Sequence, residues 1–162
     1  MTRTKKATLI SLSILLTLST LTGCGEKEVS ASSDNLPTVT TNQGEAPTIG
    51  APVGNPPTTL VTKDIIVGTG AEALPTSTMT VHYTLMTWSN GQLIESSWNG
   101  GSPATFPLAN VIVGWQQGIP GMKVGGRRLL VIPPDLGYGA QGGGPIGPNE
   151  TLIFVVDAIG VA

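Results

Sequence analysis

The sequence predicts a small α+β domain, a twisted antiparallel sheet of about five strands wrapped around one short helix. Three observations lead there. Several short runs alternate apolar and polar residues with a period of two, the signature of half-buried strands. Turn formers separate those runs, drawn from 22 glycines and 13 prolines. Only one stretch, about Val113 to Ile119, suits a helix, and Pro120-Gly121 restricts its continuation.

The elements follow in order. Leu60 to Val67 is a first strand. Thr78 to Trp88 alternates well, with Met79, Val81, Tyr83 and Leu85 on one face and Thr80, His82, Thr84 and Met86 on the other. Ser89-Asn90-Gly91 is a turn, Asn-Gly favouring positive φ, and Gln92 to Ser97 returns as the next strand. Ala104 to Leu108 is short and apolar. The helix comes next; Gly118 weakens it, and a helix so short must be held by packing. Arg127 to Ile132 and Thr151 to Ile159 complete the sheet. The near-continuous apolar character of the last strand suggests a central position, covered on both faces.

The first 23 residues read as an address rather than as fold. Arg3, Lys5 and Lys6 precede an apolar run from Ala7 to Leu21, and Leu21-Thr22-Gly23-Cys24 supplies small residues before the only cysteine. The ending resembles a bacterial lipobox, which implies cleavage before Cys24 and lipidation of its thiol. A lipidated Cys24 leaves the mature chain without a thiol, so disulfides and thiolate chemistry are excluded. One acyl chain gives only marginal membrane binding, and the multiple chains of a lipoprotein cysteine would make the anchor stable. Residues 24–57 are rich in Ser, Thr, Pro, Gly and Asn and read as a disordered tether spanning roughly 30 Å on average. Residues 58–162 are enough for one small domain with one core.

Charge and residue types narrow the function. The mature chain carries Lys27, Lys63, Lys123, Arg127 and Arg128 against ten acids, a net charge of −5. No basic stripe invites nucleic acid. His82, the only histidine, sits mid-strand where a structural hydrogen bond suits it, and no nucleophile elbow accompanies it. No metal-ligand cluster is visible. Gly137-Tyr138-Gly139-Ala140-Gln141-Gly142 matches G-x-G-x-x-G in letters only. Pro133-Pro134-Asp135 precedes it and Gly143-Gly144-Pro145 follows, so it lacks the flanking strand and helix of a dinucleotide site. What remains is apolar. Tyr83, Phe106, Val111, Ile112, Trp115, Tyr138 and Phe154 lie on separate elements around the helix. Each could be plain core, but together, beside Gly/Pro loops, they look like the walls of a pocket.

Several motifs then occur in one order. V-H-Y-T (Val81 to Thr84), N-G…E-S-S, F-P-L…V-I-V-G-W…G-I-P-G-M-K-V-G-G-R-R, I-P-P-D-L-G-Y-G-A and T-L-I-F-V-V-D resemble the FKBP-type peptidyl-prolyl isomerases over about Thr58 to Val161. The resemblance implies a half-barrel of five or six antiparallel strands around a short helix. It implies cis-trans interconversion of X-Pro bonds in unfolded or partly folded proteins, with no cofactor and no metal. Carried over by position, Tyr83, Glu95, Trp115, Tyr138 and Phe154 are the expected catalytic set. Trp115 is the pocket floor, Tyr138 the loop hydroxyl and Phe154 the back wall. Ile94, Phe106, Val111, Ile112 and Ile146 are the expected substrate-binding set. The family's usual Phe-Asp pair is Ile94-Glu95 here, and Ala104 replaces the first phenylalanine of an F-x-F pair. These departures imply a less aromatic, more open pocket, with weaker binding of macrolide inhibitors. The implied protein is exported, lipid-anchored and monomeric, at the periplasmic face of an outer membrane if there is one and otherwise at the cell surface. A weakly catalytic chaperone or adaptor of the same fold is the alternative.

Overall fold

In a computed structural model, which describes residues 35–162, six strands form one antiparallel sheet. They are β1 (Val61–Ile66), β2 (Thr78–Thr87), β3 (Leu93–Ser96), β4 (Ala104–Pro107), β5 (Arg127–Ile132) and β6 (Leu152–Val161). The sheet order is β1-β5-β6-β2-β3, and β4 pairs with β2 beside that path. Among the described residues one α-helix, α1, spans Val113–Gly118. Cys24, the leader and the first part of the tether lie outside the described residues.

The long apolar run of β6 is explained by its place between β5 and β2. Strand side chains alternate in direction. Leu152, Phe154, Val156 and Ala158 accordingly join the main core under α1, while Ile153 and Val155 join a second cluster. β5 sorts the same way, with Leu130 and Ile132 in the main core and Leu129 and Val131 in the second cluster.

That second cluster is covered by a segment whose composition suggests a tether. Leu36, Val39 and Ile49 pack against Trp88, Leu129, Val131, Ile153 and Val155. Val39 pairs with Ile49, so the segment folds back on itself as a strap. Arg127, fully buried, clamps it. Its Nε donates to Asp157 Oδ1 at 2.7 Å, its Nη1 to the Thr40 carbonyl at 2.9 Å and its Nη2 to the Glu45 carbonyl at 2.6 Å. Trp88 Nε1 donates to the Gly54 carbonyl, and Gln43 Nε2 to the Gly125 carbonyl. Residues 35–57 thus depart from the expected disordered tether. The physical reason is that the holding groups are mostly backbone carbonyls, which composition cannot display, together with three apolar side chains.

Helix α1 is short and lies close against its neighbours. A Cβ on Gly114 would overlap Ile132, and one on Gly118 would lie 2.5 Å from Leu130 Cδ2. The two glycines, unfavourable for an isolated helix, let α1 lie directly on β5. Arg128 secures the far end. Its Nη1 donates to the Gly118 carbonyl at 2.9 Å, while Asp64 holds the guanidinium with both oxygens at 2.6 and 3.1 Å. A cation at the helix C-terminus also complements the helix dipole.

Candidate active site

The tight seat of α1 places Trp115 at the centre of four aromatic rings. Trp115 meets Tyr83 at 5.8 Å and 84°, Phe106 at 6.0 Å and 89°, and Phe154 at 5.3 Å and 82° between ring centroids and planes. Tyr83 meets Phe106 at 6.1 Å. These are edge-to-face arrangements that suit aromatic quadrupoles and fix each ring's direction. The rings line a cavity of about 260 Å³, with Leu85, Glu95, Asn110, Val111, Ile112 and Tyr138 completing its wall. Trp115 is 4% exposed, and its Nε1–H has no acceptor among the described residues.

The polar groups of the cavity are few. Tyr83 donates its hydroxyl to Glu95 Oε1 at 2.5 Å, so the longer acid in place of an aspartate still reaches the ring. Burial pushes the Tyr83 phenol above its ordinary pKa, and the Glu95 hydrogen bond and charge raise it further. The phenol is therefore a neutral donor at any ordinary pH. Tyr138, 41% exposed, stands on the loop at the cavity edge. Gly143 packs so closely on the Tyr138 ring that a Cβ there would approach to 3.0 Å.

Of the ten residues singled out by sequence, eight line this cavity: Tyr83, Glu95, Phe106, Val111, Ile112, Trp115, Tyr138 and Phe154. Ile94 and Ile146 do not. The β2–β3 register shifts between Leu85 and Met86, so Ile94 is the extra residue of a bulge and packs half-buried against the main core. Glu95, paired with Leu85, is the residue this register turns to the cavity. Ile146 closes a tight turn on Gly143 and is drawn into the core, 6% exposed. Two lining residues escaped the sequence reading. Leu85 was legible only as a core-face position of β2, since nothing in the pattern distinguishes lining from filling. Asn110 gave no signal, being one polar residue in a polar turn.

His82 serves elsewhere. Its ring stacks on Trp98 at 3.9 Å, and its Nδ1 bonds Ser97 Oγ at 3.0 Å. Ser97 Oγ also accepts from the Tyr83 backbone N–H, so the pair ties the segment after β3 to β2.

The chain is similar to known proteins in sequence and fold. The family of FKBP-type peptidyl-prolyl cis-trans isomerases matches residues 70–159. A probable FK506-binding protein of Corynebacterium glutamicum is 50% identical over 115 residues, covering 71% of this chain and 98% of that protein. An outer membrane protein MIP of Legionella longbeachae is 43% identical over 106 residues, covering 65% of this chain and 45% of that one. Among solved structures, Escherichia coli FkpA superposes with a TM-score of 0.60 at 37% identity, over 63% of this chain and 47% of FkpA.

Proposed function

Since the chain belongs to the FKBP-type peptidyl-prolyl cis-trans isomerase family, we propose that its aromatic cavity is where X-Pro bonds of unfolded or partly folded proteins are isomerised outside the cytoplasm. The observation that carries this reading is the set of edge-to-face rings around Trp115, which encloses a largely apolar space whose one carboxylate, Glu95, is engaged by the Tyr83 hydroxyl.

That space fits the chemistry. Amide resonance sets a rotation barrier of ~18–20 kcal/mol. An apolar environment disfavours the charge-separated planar amide relative to the twisted one, and seating the proline ring on Trp115 adds orientation. Lowering the barrier by ~5–8 kcal/mol would accelerate rotation roughly 10⁴–10⁶-fold. Tyr138 offers a hydroxyl at the cavity edge. Ile112 offers a backbone N–H that has no acceptor among the described residues. Glu95 acts through Tyr83, holding its ring. No step needs a proton to leave the substrate, so no cofactor is invoked. Macrolide inhibitors would bind in the same cavity, more weakly than in members with more aromatic walls.

The place of action is proposed from the leader and from Cys24, taken as a lipid anchor, with the chain acting as a monomer. Gly25 after the cysteine lacks the aspartate that retains many lipoproteins at an inner membrane, which favours an outer membrane where one exists. A relative named as an outer membrane protein supports an envelope location.

The test is acceleration of cis-trans exchange in an Ala-X-Pro-Phe peptide by the purified full chain, followed by exchange NMR. Catalysis is expected, with Tyr138→Phe retaining the fold and losing a few-fold in rate. A folded chain that leaves the exchange rate at background would leave only the adaptor reading.

A further inference from the structure

The cavity wall contains one peptide group whose two ends are treated differently. The Val111 carbonyl accepts from Gln116 Nε2 at 2.8 Å, and the same amide reaches toward the Ala109 carbonyl at 3.4 Å. The other end of that peptide group is the Ile112 N–H, which has no acceptor among the described residues. Both Val111 and Ile112 line the cavity. The next carbonyl, that of Ile112, is fixed by the first turn of α1, accepting from Trp115 N at 2.9 Å and Gln116 N at 3.2 Å.

A trans peptide is planar, with its C=O and N–H on opposite sides. Holding the Val111 oxygen therefore sets the direction of the Ile112 N–H. It also polarises the peptide, which makes that N–H a better donor. Gln116 is itself exposed and does not line the cavity. Its amide can donate to a carbonyl, whereas a glutamate in its ordinary ionised form could not.

From this geometry we infer that Gln116 is a positioning residue, which aims the Ile112 N–H at a carbonyl of the bound proline peptide. The inference rests on the reading of the cavity as the isomerisation site. It ties the residue that carries the floor, Trp115, and the residue that orients the wall, Gln116, to adjacent positions of one helix, so floor and wall move together.

The experiment compares the full chain with Gln116→Ala and Gln116→Glu by exchange NMR on the same X-Pro peptide, from pH 7.5 down to 4. Gln116→Ala should raise KM about threefold to tenfold with kcat little changed, the loss expected of one hydrogen bond made equally in ground and transition states. Gln116→Glu should show the same loss at pH 7.5. Its activity relative to wild type should recover as the pH approaches the ordinary glutamate pKa of about 4.3, where the protonated acid can donate again. Any other group that changes protonation over this range does so in both proteins and cancels in the ratio. Gln116→Ala with wild-type KM, or a Gln116→Glu deficit that stays constant with pH, would overturn the inference. A wild-type chain without catalysis would instead overturn the reading of the cavity, so the two failures are distinguishable.

Discussion

Tyr83 and Glu95 show how single residues carry the site. Their 2.5 Å hydrogen bond fixes a ring that touches Phe106 and Trp115. Burial and the carboxylate both favour the protonated phenol. The folded phenol thus keeps its proton beyond the unfolded value of 10.0, and its contribution to stability is complete below that pH and is lost as the pH rises above it. An alkaline absorbance titration should show one phenol ionising late, and Tyr83→Phe should remove that late step. A late step that survives the substitution would contradict the assignment to Tyr83. Sequence named both partners, because the motifs place Tyr83 and Glu95 by position. It could not show that a bulge at Ile94 pairs Glu95 with Leu85, since a register shift depends on how two strands meet.

The strap and α1 make the same point for whole elements. Strand β2 was legible because alternation reports directly on which side is buried, and β6 because its near-continuous apolar run reports burial on both faces. The two clusters meeting at β6 are that two-sided burial realised in space. The strap was not legible: Arg127 is one of two adjacent cations at the start of an otherwise apolar strand, and its partners Thr40 and Glu45 contribute only carbonyls. The glycines of α1 read as helix weakeners and turn out to be what admits the helix to β5. Two outcomes follow at this scale. A chain beginning at residue 58 should unfold at lower denaturant than one beginning at residue 35, by about 2–5 kcal/mol for the uncovered apolar surface and the two carbonyl partners lost by the Arg127 guanidinium. Arg127→Ala should cost about 3–5 kcal/mol by leaving Asp157 buried without its cation. Equal midpoints for the two chains would show that the strap contributes nothing to the fold.

For the molecule as a whole, the fold concentrates its polar clamps away from the chemistry. Arg127–Asp157 holds the strap and Arg128–Asp64 the end of α1, while the cavity between α1 and the sheet is walled mainly by rings and aliphatic chains, with Glu95, bound by Tyr83, and Asn110 as its polar additions. That division suits a reaction that needs enclosure and orientation more than proton transfer. The most direct test of this account is kcat/KM for X-Pro isomerisation by Trp115→Ala beside wild type, at matched folded content. With the proline ring proposed to sit on Trp115, the variant should lose about tenfold or more, a barrier increase of at least ~1.4 kcal/mol. Equal kcat/KM in the two proteins would contradict it and put the chemistry somewhere other than this cavity.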